Sequence, residues 1–307
     1  MLIAKTGAQG LPFVVGSELE FEAQENGFLF FRINDFVNAN YDNEGFLDVT
    51  IETVTMMPVL AKTQPQNHQS DTEKPTVIVS NVLSKRTALV IGNSNYNFSP
   101  LENPVNDARA ISESLQELGF NVTTLFDANQ QQMEQAVDQF GRQLFSGKQV
   151  ALFYYAGHGV QVNGENYLIP VDAVLQRQAD VRYKAVNIGQ VLGTMGEAPG
   201  NLNIVILDAC CDNPLPRSFR SSARGLAKVE GPKGTIIGFA TSPGSVASDG
   251  EGDNGVYTKH LLLNMQKPGL SIEQVFKKVL QGVNQETGGQ QTPWTESSFT
   301  GDFAFVP

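Results

Sequence analysis

Two residues that together make a covalent catalyst sit in matching contexts in this chain. His158 closes the run Gln149-Val-Ala-Leu-Phe-Tyr-Tyr-Ala-Gly-His158, and Cys210 closes Asn203-Ile-Val-Ile-Leu-Asp-Ala-Cys210. A sulfur attacks a carbonyl carbon as the thiolate, and an imidazole that titrates near neutrality can take its proton. Such a pair supports acyl transfer through a thioester, with one strand end supplying the base and another the nucleophile. Either residue alone is ordinary: histidines at strand ends are common in solvated loops, and single cysteines are common in cores. It is the matched pair that singles them out.

The elements around them have to deliver both groups to one place. Each run is a short apolar block ending in small residues, the pattern of a central parallel strand buried on both faces. In open α/β sheets, sites form just beyond the carboxyl ends of such strands. Gly157 and Gly159 flank His158, so backbone and substrate can approach closely. The rest of the second half alternates strand and helix. Strands are expected over Arg86–Gly92, Phe120–Leu125 and Gly234–Thr241. Helices are expected from Val105 up to Gly119, over Gln130–Leu144, near Ile188–Met195, over Tyr257–Met265 and over Ile272–Gln285. In Gln130–Leu144 the apolar residues Met133, Val137, Phe140 and Leu144 fall on one side. The alternation predicts an α/β sandwich with a mostly parallel central sheet flanked by helices.

The chain divides by composition. Residues 1–60 alternate in the manner of strands and read as a small all-β module. Residues 61–84 hold Gln-Pro-Gln-Asn-His-Gln-Ser-Asp-Thr-Glu-Lys-Pro, a polar stretch without helical period that reads as a linker. Residues 85–307 read as the domain that carries His158 and Cys210. The 307 residues carry a formal net charge of −11 and 41% hydrophobic residues. The acidic balance disfavours nucleic acid and anionic membrane as partners. No run of 18 apolar residues exists, so no membrane span is expected. The start lacks a basic segment followed by an apolar block, and the only cysteines, Cys210 and Cys211, are adjacent. A reducing cytoplasm is the expected location.

From Arg86 to Pro307 the chain resembles the caspase–metacaspase superfamily, in particular the bacterial metacaspase-like proteins called orthocaspases. Six stretches carry the resemblance, in order. They are Arg86-Thr-Ala-Leu-Val-Ile-Gly-Asn-Ser-Asn-Tyr, Leu101-Glu-Asn-Pro-Val-Asn-Asp-Ala, Tyr155-Ala-Gly-His-Gly, Leu207-Asp-Ala-Cys, Gly234-Thr-Ile-Ile-Gly-Phe-Ala-Thr-Ser and Ser248-Asp-Gly-Glu-Gly-Asp-Asn-Gly-Val-Tyr-Thr. A histidine about 50 residues before the cysteine is this family's own spacing. The resemblance implies a caspase-like fold and a cysteine endopeptidase with His158 as base and Cys210 as nucleophile. It places the oxyanion on the backbone N–H groups of Gly159 and Cys210. Cys211 stands where the family usually has a basic or polar residue.

Substrate choice rests on carboxylates. Asp208 precedes Cys210 by two residues and so shares its side of the strand. Asp107 matches the acidic position that metacaspases use in the S1 pocket, although a helix N-terminus also favours a carboxylate there. Asp249, in the acidic glycine-rich stretch 248–255, is a third candidate, in a segment that also suits a solvated turn. The resemblance implies polypeptide substrates with Arg or Lys at P1, the residue before the cut. Arg217, Arg220, Arg224 and Lys228 follow the nucleophile in a polar segment, a processing loop for self-cleavage or for a partner protease that would activate a zymogen. The family often needs Ca²⁺, in a region around Asp172 and Asp180 too sparse to assign ligands. The chemistry itself calls for no cofactor.

The run Pro12-Phe-Val-Val-Gly-Ser, Phe31-Arg-Ile-Asn-Asp and Asp42-Asn-Glu-Gly-Phe-Leu-Asp-Val-Thr-Ile resembles the end of the bacterial galactose-binding lectin fold. That resemblance implies glycan and Ca²⁺ binding through Asp35, Asn38, Asn40, Asp42 and Asn43. Oxygen-rich side chains suit hard Ca²⁺, and the same residue types also suit plain turns. Two other functions stay open on sequence grounds: a non-catalytic caspase-like scaffold, and a calcium-dependent glycan-binding protein.

Overall fold

A computed structural model describes residues 85–307 apart from 146–147, 199, 211–224, 244 and 246–251. Cys210 is described by its backbone, as are three earlier strands. Those strands are β1 (Leu2–Thr6), β2 (Phe13–Val14) and β3 (Leu29–Ile33), in an antiparallel sheet of order β2-β1-β3. They belong to a compact unit, Met1–Pro75, distinct from Thr76–Pro307. The segment 61–84 and the oxygen-rich residues Asp35, Asn38, Asn40, Asp42 and Asn43 lie outside the described residues.

The second unit opens with β4 (Lys85–Gly92), α1 (Pro104–Glu117), β5 (Asn121–Phe126) and α2 (Gln130–Leu144). Gly119, at φ +79°, terminates α1 in a conformation that glycine adopts without strain. Then come β6 (Gln149–Val162), β7 (Glu165–Leu168), α3 (Gln178–Lys184), β8 (Val186–Asn187) and α4 (Ile188–Gly196). The chain ends with β9 (Leu202–Cys210), β10 (Thr235–Phe239), α5 (Val256–Met265), α6 (Ile272–Glu286) and β11 (Trp294–Ser297).

The main sheet runs β11-β10-β9-β6-β4-β5. Every pairing along this path from β10 to β5 is parallel, and the edge strand β11 runs antiparallel to β10. Side chains alternate across it. Ala88, Val90, Leu152, Tyr154, Ile204 and Ile206 pack in one core with α1, α5 and α6. Leu89, Ile91, Phe153, Tyr155, Val205 and Leu207 pack in the other with α2 and α4. Both faces are covered, which is why the strands read as unbroken apolar runs. The expected α/β sandwich with its mostly parallel sheet is the observed fold.

The strand order creates the site. From β4 the chain moves outward to β5, then returns to the opposite side of β4 to lay down β6. Connections leave in opposite directions at this point, the switch point where open α/β sheets place their sites, beyond the carboxyl ends of β4 and β6. One expectation needs correction. His158 does not end its strand: β6 continues to Val162 and turns back as a hairpin into β7. Asn163 and Gly164, both at positive φ, make that turn. What ends near His158 is the parallel part of the strand.

Candidate active site

His158 and Cys210 are Cα partners, the last pair of the β6–β9 ladder. Two residues 52 apart in the chain are thereby one strand spacing apart, about 5 Å. His158 is fully buried, and its imidazole is held on several sides. Its Nε2 lies 2.7 Å from the carbonyl oxygen of Ser99. A carbonyl only accepts, so Nε2 carries the proton and Nδ1 is the basic nitrogen of the neutral ring. The ring also packs against Tyr96 and Phe98, at centroid distances of 4.5 and 5.4 Å.

The loop between β4 and α1 supplies that support. Asn93 is buried and bridges strand ends: its Oδ1 accepts from Ala128 N, and its Nδ2 donates to Ile169 O. Asp127 adopts φ +47°, a conformation that Asp tolerates better than most side chains. From there its carboxylate accepts from the backbone N–H groups of Ser94 and Asn95 and bonds the Asn95 side chain. Tyr96, so anchored, accepts from His158 N at 2.9 Å and donates to Ile169 O at 3.1 Å. The Tyr155 hydroxyl donates to His158 O at 2.8 Å. Burial pushes the Tyr96 phenol far above its ordinary pKa, so it stays a neutral hydroxyl.

Gly157 makes this packing feasible. It sits at φ +149°, and a Cβ there would lie 2.5 Å from the Tyr96 hydroxyl and 2.8 Å from that of Tyr155. Gly157→Ala should therefore cost about 3 kcal/mol and lower Tm by roughly 10 °C. A thermal melt that matches wild type would refute this. Gly159 is close-packed too: a Cβ there would meet Ala209 Cβ and Leu226 Cδ2 at 3.1 Å each.

Two of the three predicted acids converge. Asp107, in the first turn of α1, is buried, and its Oδ1 accepts from Gly255 N and Asn254 Nδ2, both at 2.9 Å. Asp208 points from β9 toward the same spot. The position of a Cβ on Gly255 is 3.0 Å from Asp107 Oδ2 and 3.7 Å from Asp208 Oδ2. Asp208 Oδ2 accepts from Thr258 Oγ1 at 2.7 Å, and that hydroxyl lies 2.6 Å from Tyr154 OH. Thr258 has one hydroxyl proton, so Tyr154 donates to Thr258 and Thr258 to Asp208. Burial, then the charges of Asp107 and Asp208, push the Tyr154 phenol well above its ordinary pKa. The two carboxylates thus both act on the Tyr154 hydroxyl. Asp249 lies outside the described residues, while its loop neighbours Asn254 and Gly255 are the groups that reach Asp107.

The processing-loop residues divide. Arg217, Arg220 and Arg224 lie outside the described residues. Lys228 pairs with Glu296 at 2.9 Å, which raises its pKa through that hydrogen bond and charge. Just before it, the buried Asn166 side chain donates to Ala227 O and accepts from Ala227 N, both at 2.7 Å. Leu226 is buried against the sheet beside Gly159. The segment 226–228 is therefore a docked strap with both backbone groups of Ala227 satisfied.

Asp172 accepts from Gln130 N at the start of α2, and Asp180 caps α3 by accepting from the backbone of Gln176 and Arg177. Among the described residues, no group of three His, Cys, Asp or Glu gathers in a way that could hold a metal ion. Among them, too, no helix is long and apolar enough to cross a membrane.

The sequence-level reading missed the Ser99 carbonyl, the hydroxyls of Tyr96 and Tyr155, and Thr258. Tyr96 closes the family-like stretch that begins at Arg86, and Thr258 closes the one that begins at Ser248. The Ser99 carbonyl carries no side-chain signal at all.

Residues 85–304 match the model of the family described as the caspase domain. The chain belongs to that family. Among similar proteins is mucosa-associated lymphoid tissue lymphoma translocation protein 1 of Homo sapiens. It is 28% identical over 243 residues, covering 77% of this chain and 28% of that protein. Its homolog in Mus musculus is 28% identical over 222 residues, covering 70% and 26%. The chain thus spans little more than a quarter of the length of these curated relatives.

Proposed function

We propose that this caspase-family peptidase cleaves polypeptides after Arg or Lys through His158 and Cys210. The observation that carries the reading is the convergence of Asp107 and Asp208 around Gly255, beside the strand ends that pair His158 with Cys210. Two carboxylates held in a low-dielectric place favour a cation between them. A P1 guanidinium or ammonium supplies one.

The Cys210 thiol gives its proton to Nδ1 of His158, and the thiolate attacks the scissile carbonyl carbon. The sulfur–carbon bond forms and the carbonyl oxygen takes the negative charge. The N–H groups of Gly159 and Cys210 receive that charge, each worth about 3 kcal/mol in the transition state. The carbon–nitrogen bond then breaks, and the leaving amine takes the proton from the imidazolium. Water, deprotonated by His158, attacks the thioester and releases the carboxylate and the thiol. The Ser99 carbonyl keeps the imidazole oriented throughout, where a triad would use a carboxylate.

Activation by a cut among Arg217, Arg220 and Arg224 fits this specificity, since the enzyme's own loop offers its preferred residues. Lys228 fits such a role less well, because Ala227 before it is docked through both backbone groups and its own ammonium is paired with Glu296.

Fluorogenic peptides ending in Arg, Lys or Asp, assayed with and without Ca²⁺, test the reading. Turnover after Arg or Lys supports it, and turnover only after Asp or a neutral residue refutes the acidic pocket.

A further inference from the structure

Phe98 is 40% exposed although its ring lies 5.4 Å from the imidazole of His158 and 5.4 Å from Tyr96. It takes no place in the hydrophobic clusters of the described residues, unlike Leu101 three residues later. The loop that carries it is tied down at Asn93, Ser94, Asn95 and Tyr96. A phenyl ring left in water beside a catalytic base forgoes burial that a bound apolar group would restore.

We propose that Phe98 forms the wall of an apolar subsite for the residue after the scissile bond, P1′. The inference rests on the roles given above to His158 and the two acids. The imidazolium must hand its proton to the leaving nitrogen, and that nitrogen belongs to P1′. The P1 side chain runs instead to Asp107 and Asp208, beside Gly255 between α1 and β9. The ring packed on the imidazole then borders the departing half of the substrate. Leu, Phe or Met at P1′ would lie against the Phe98 face. Asp or Gly would gain nothing from it. The same loop thus orients the base through Ser99, reads P1′ through Phe98 and leads into the helix that bears Asp107.

Internally quenched peptides with Arg at P1 and Gly, Asp, Leu or Phe at P1′ test this, beside a second series varied at P2. Wild type should favour Leu and Phe over Gly and Asp at P1′ by about tenfold in kcat/KM. Phe98→Ala should flatten that ratio to within about twofold, and Phe98→Trp should keep it. The ratio does not depend on how much of a variant folds, so a general loss of activity cannot imitate the result. An unchanged P1′ ranking in Phe98→Ala, or a preference that collapses at P2 instead, would overturn the assignment. Failure of the basic-P1 reading shows separately, as absence of cleavage after Arg whatever follows it. The same two series built on the residue that is cleaved then decide the role of Phe98.

Discussion

Cys210→Ala should reduce hydrolysis of an Arg peptide by at least about 10³-fold, with Tm close to that of wild type. His158→Gln should fall as far. Glutamine is the informative partner, because its amide can still donate to the Ser99 carbonyl where Nε2 does now, 2.7 Å away. Alanine at this fully buried position would add a cavity among Tyr96, Phe98 and the loop, and would blur chemistry with stability. A nucleophile and its base act as one unit, so the double variant should be no slower than either single variant. Cys211→Ala should retain activity, and alkylation by an arginyl chloromethyl ketone should map to Cys210 alone. Turnover surviving in Cys210→Ala but lost in Cys211→Ala would move the nucleophile by one residue and break the pairing with His158.

Much of this scaffold could be read before any coordinates. The helix Gln130–Leu144 was legible because Met133, Val137, Phe140 and Leu144 share one face, and all four are buried against the sheet. The central strands were legible because burial on both faces gives unbroken apolar runs, too short for helices and bounded by small or polar residues. Elements set by their neighbours were harder. The edge strand β11, Trp294–Ser297, is mostly exposed and is held by its ladder to β10 rather than by any period of its own. The extension of β6 past His158 was signalled by Asn163-Gly164, a hairpin dipeptide obscured by the polar residues around it. At the site, His158, Cys210, Asp107 and Asp208 stood out as side chains in family-like stretches. The parts that orient them were not. The Ser99 carbonyl is backbone, and the Thr258 hydroxyl matters only because the fold lays α5 beside the end of β9.

Neutralising the acids should erase the charge preference more than it damages the enzyme. Asp208→Asn preserves an oxygen for the Thr258 hydroxyl, and Asp107→Asn preserves one for Gly255 N and Asn254. Each substitution removes a charge with little change of shape. A buried cation that loses one of its carboxylates forfeits about 2–4 kcal/mol, so kcat/KM for Arg peptides should fall by about 10²-fold in either variant. Citrulline, which has the shape of Arg without its charge, isolates this term. Wild type should prefer Arg to citrulline by at least about 10²-fold, and the double variant should treat them within about fivefold. Lys should suffer differently. Its single ammonium can sit against one acid, whereas the guanidinium fork can engage both, so either single variant should narrow the gap between Arg and Lys. Tyr154 supplies an independent reading of the same field. Its phenol is held up by burial and by both carboxylates, so losing either charge should bring its pKa down. Arg selectivity that persists in the double variant would place the P1 pocket elsewhere and leave the two buried carboxylates with a purely structural role.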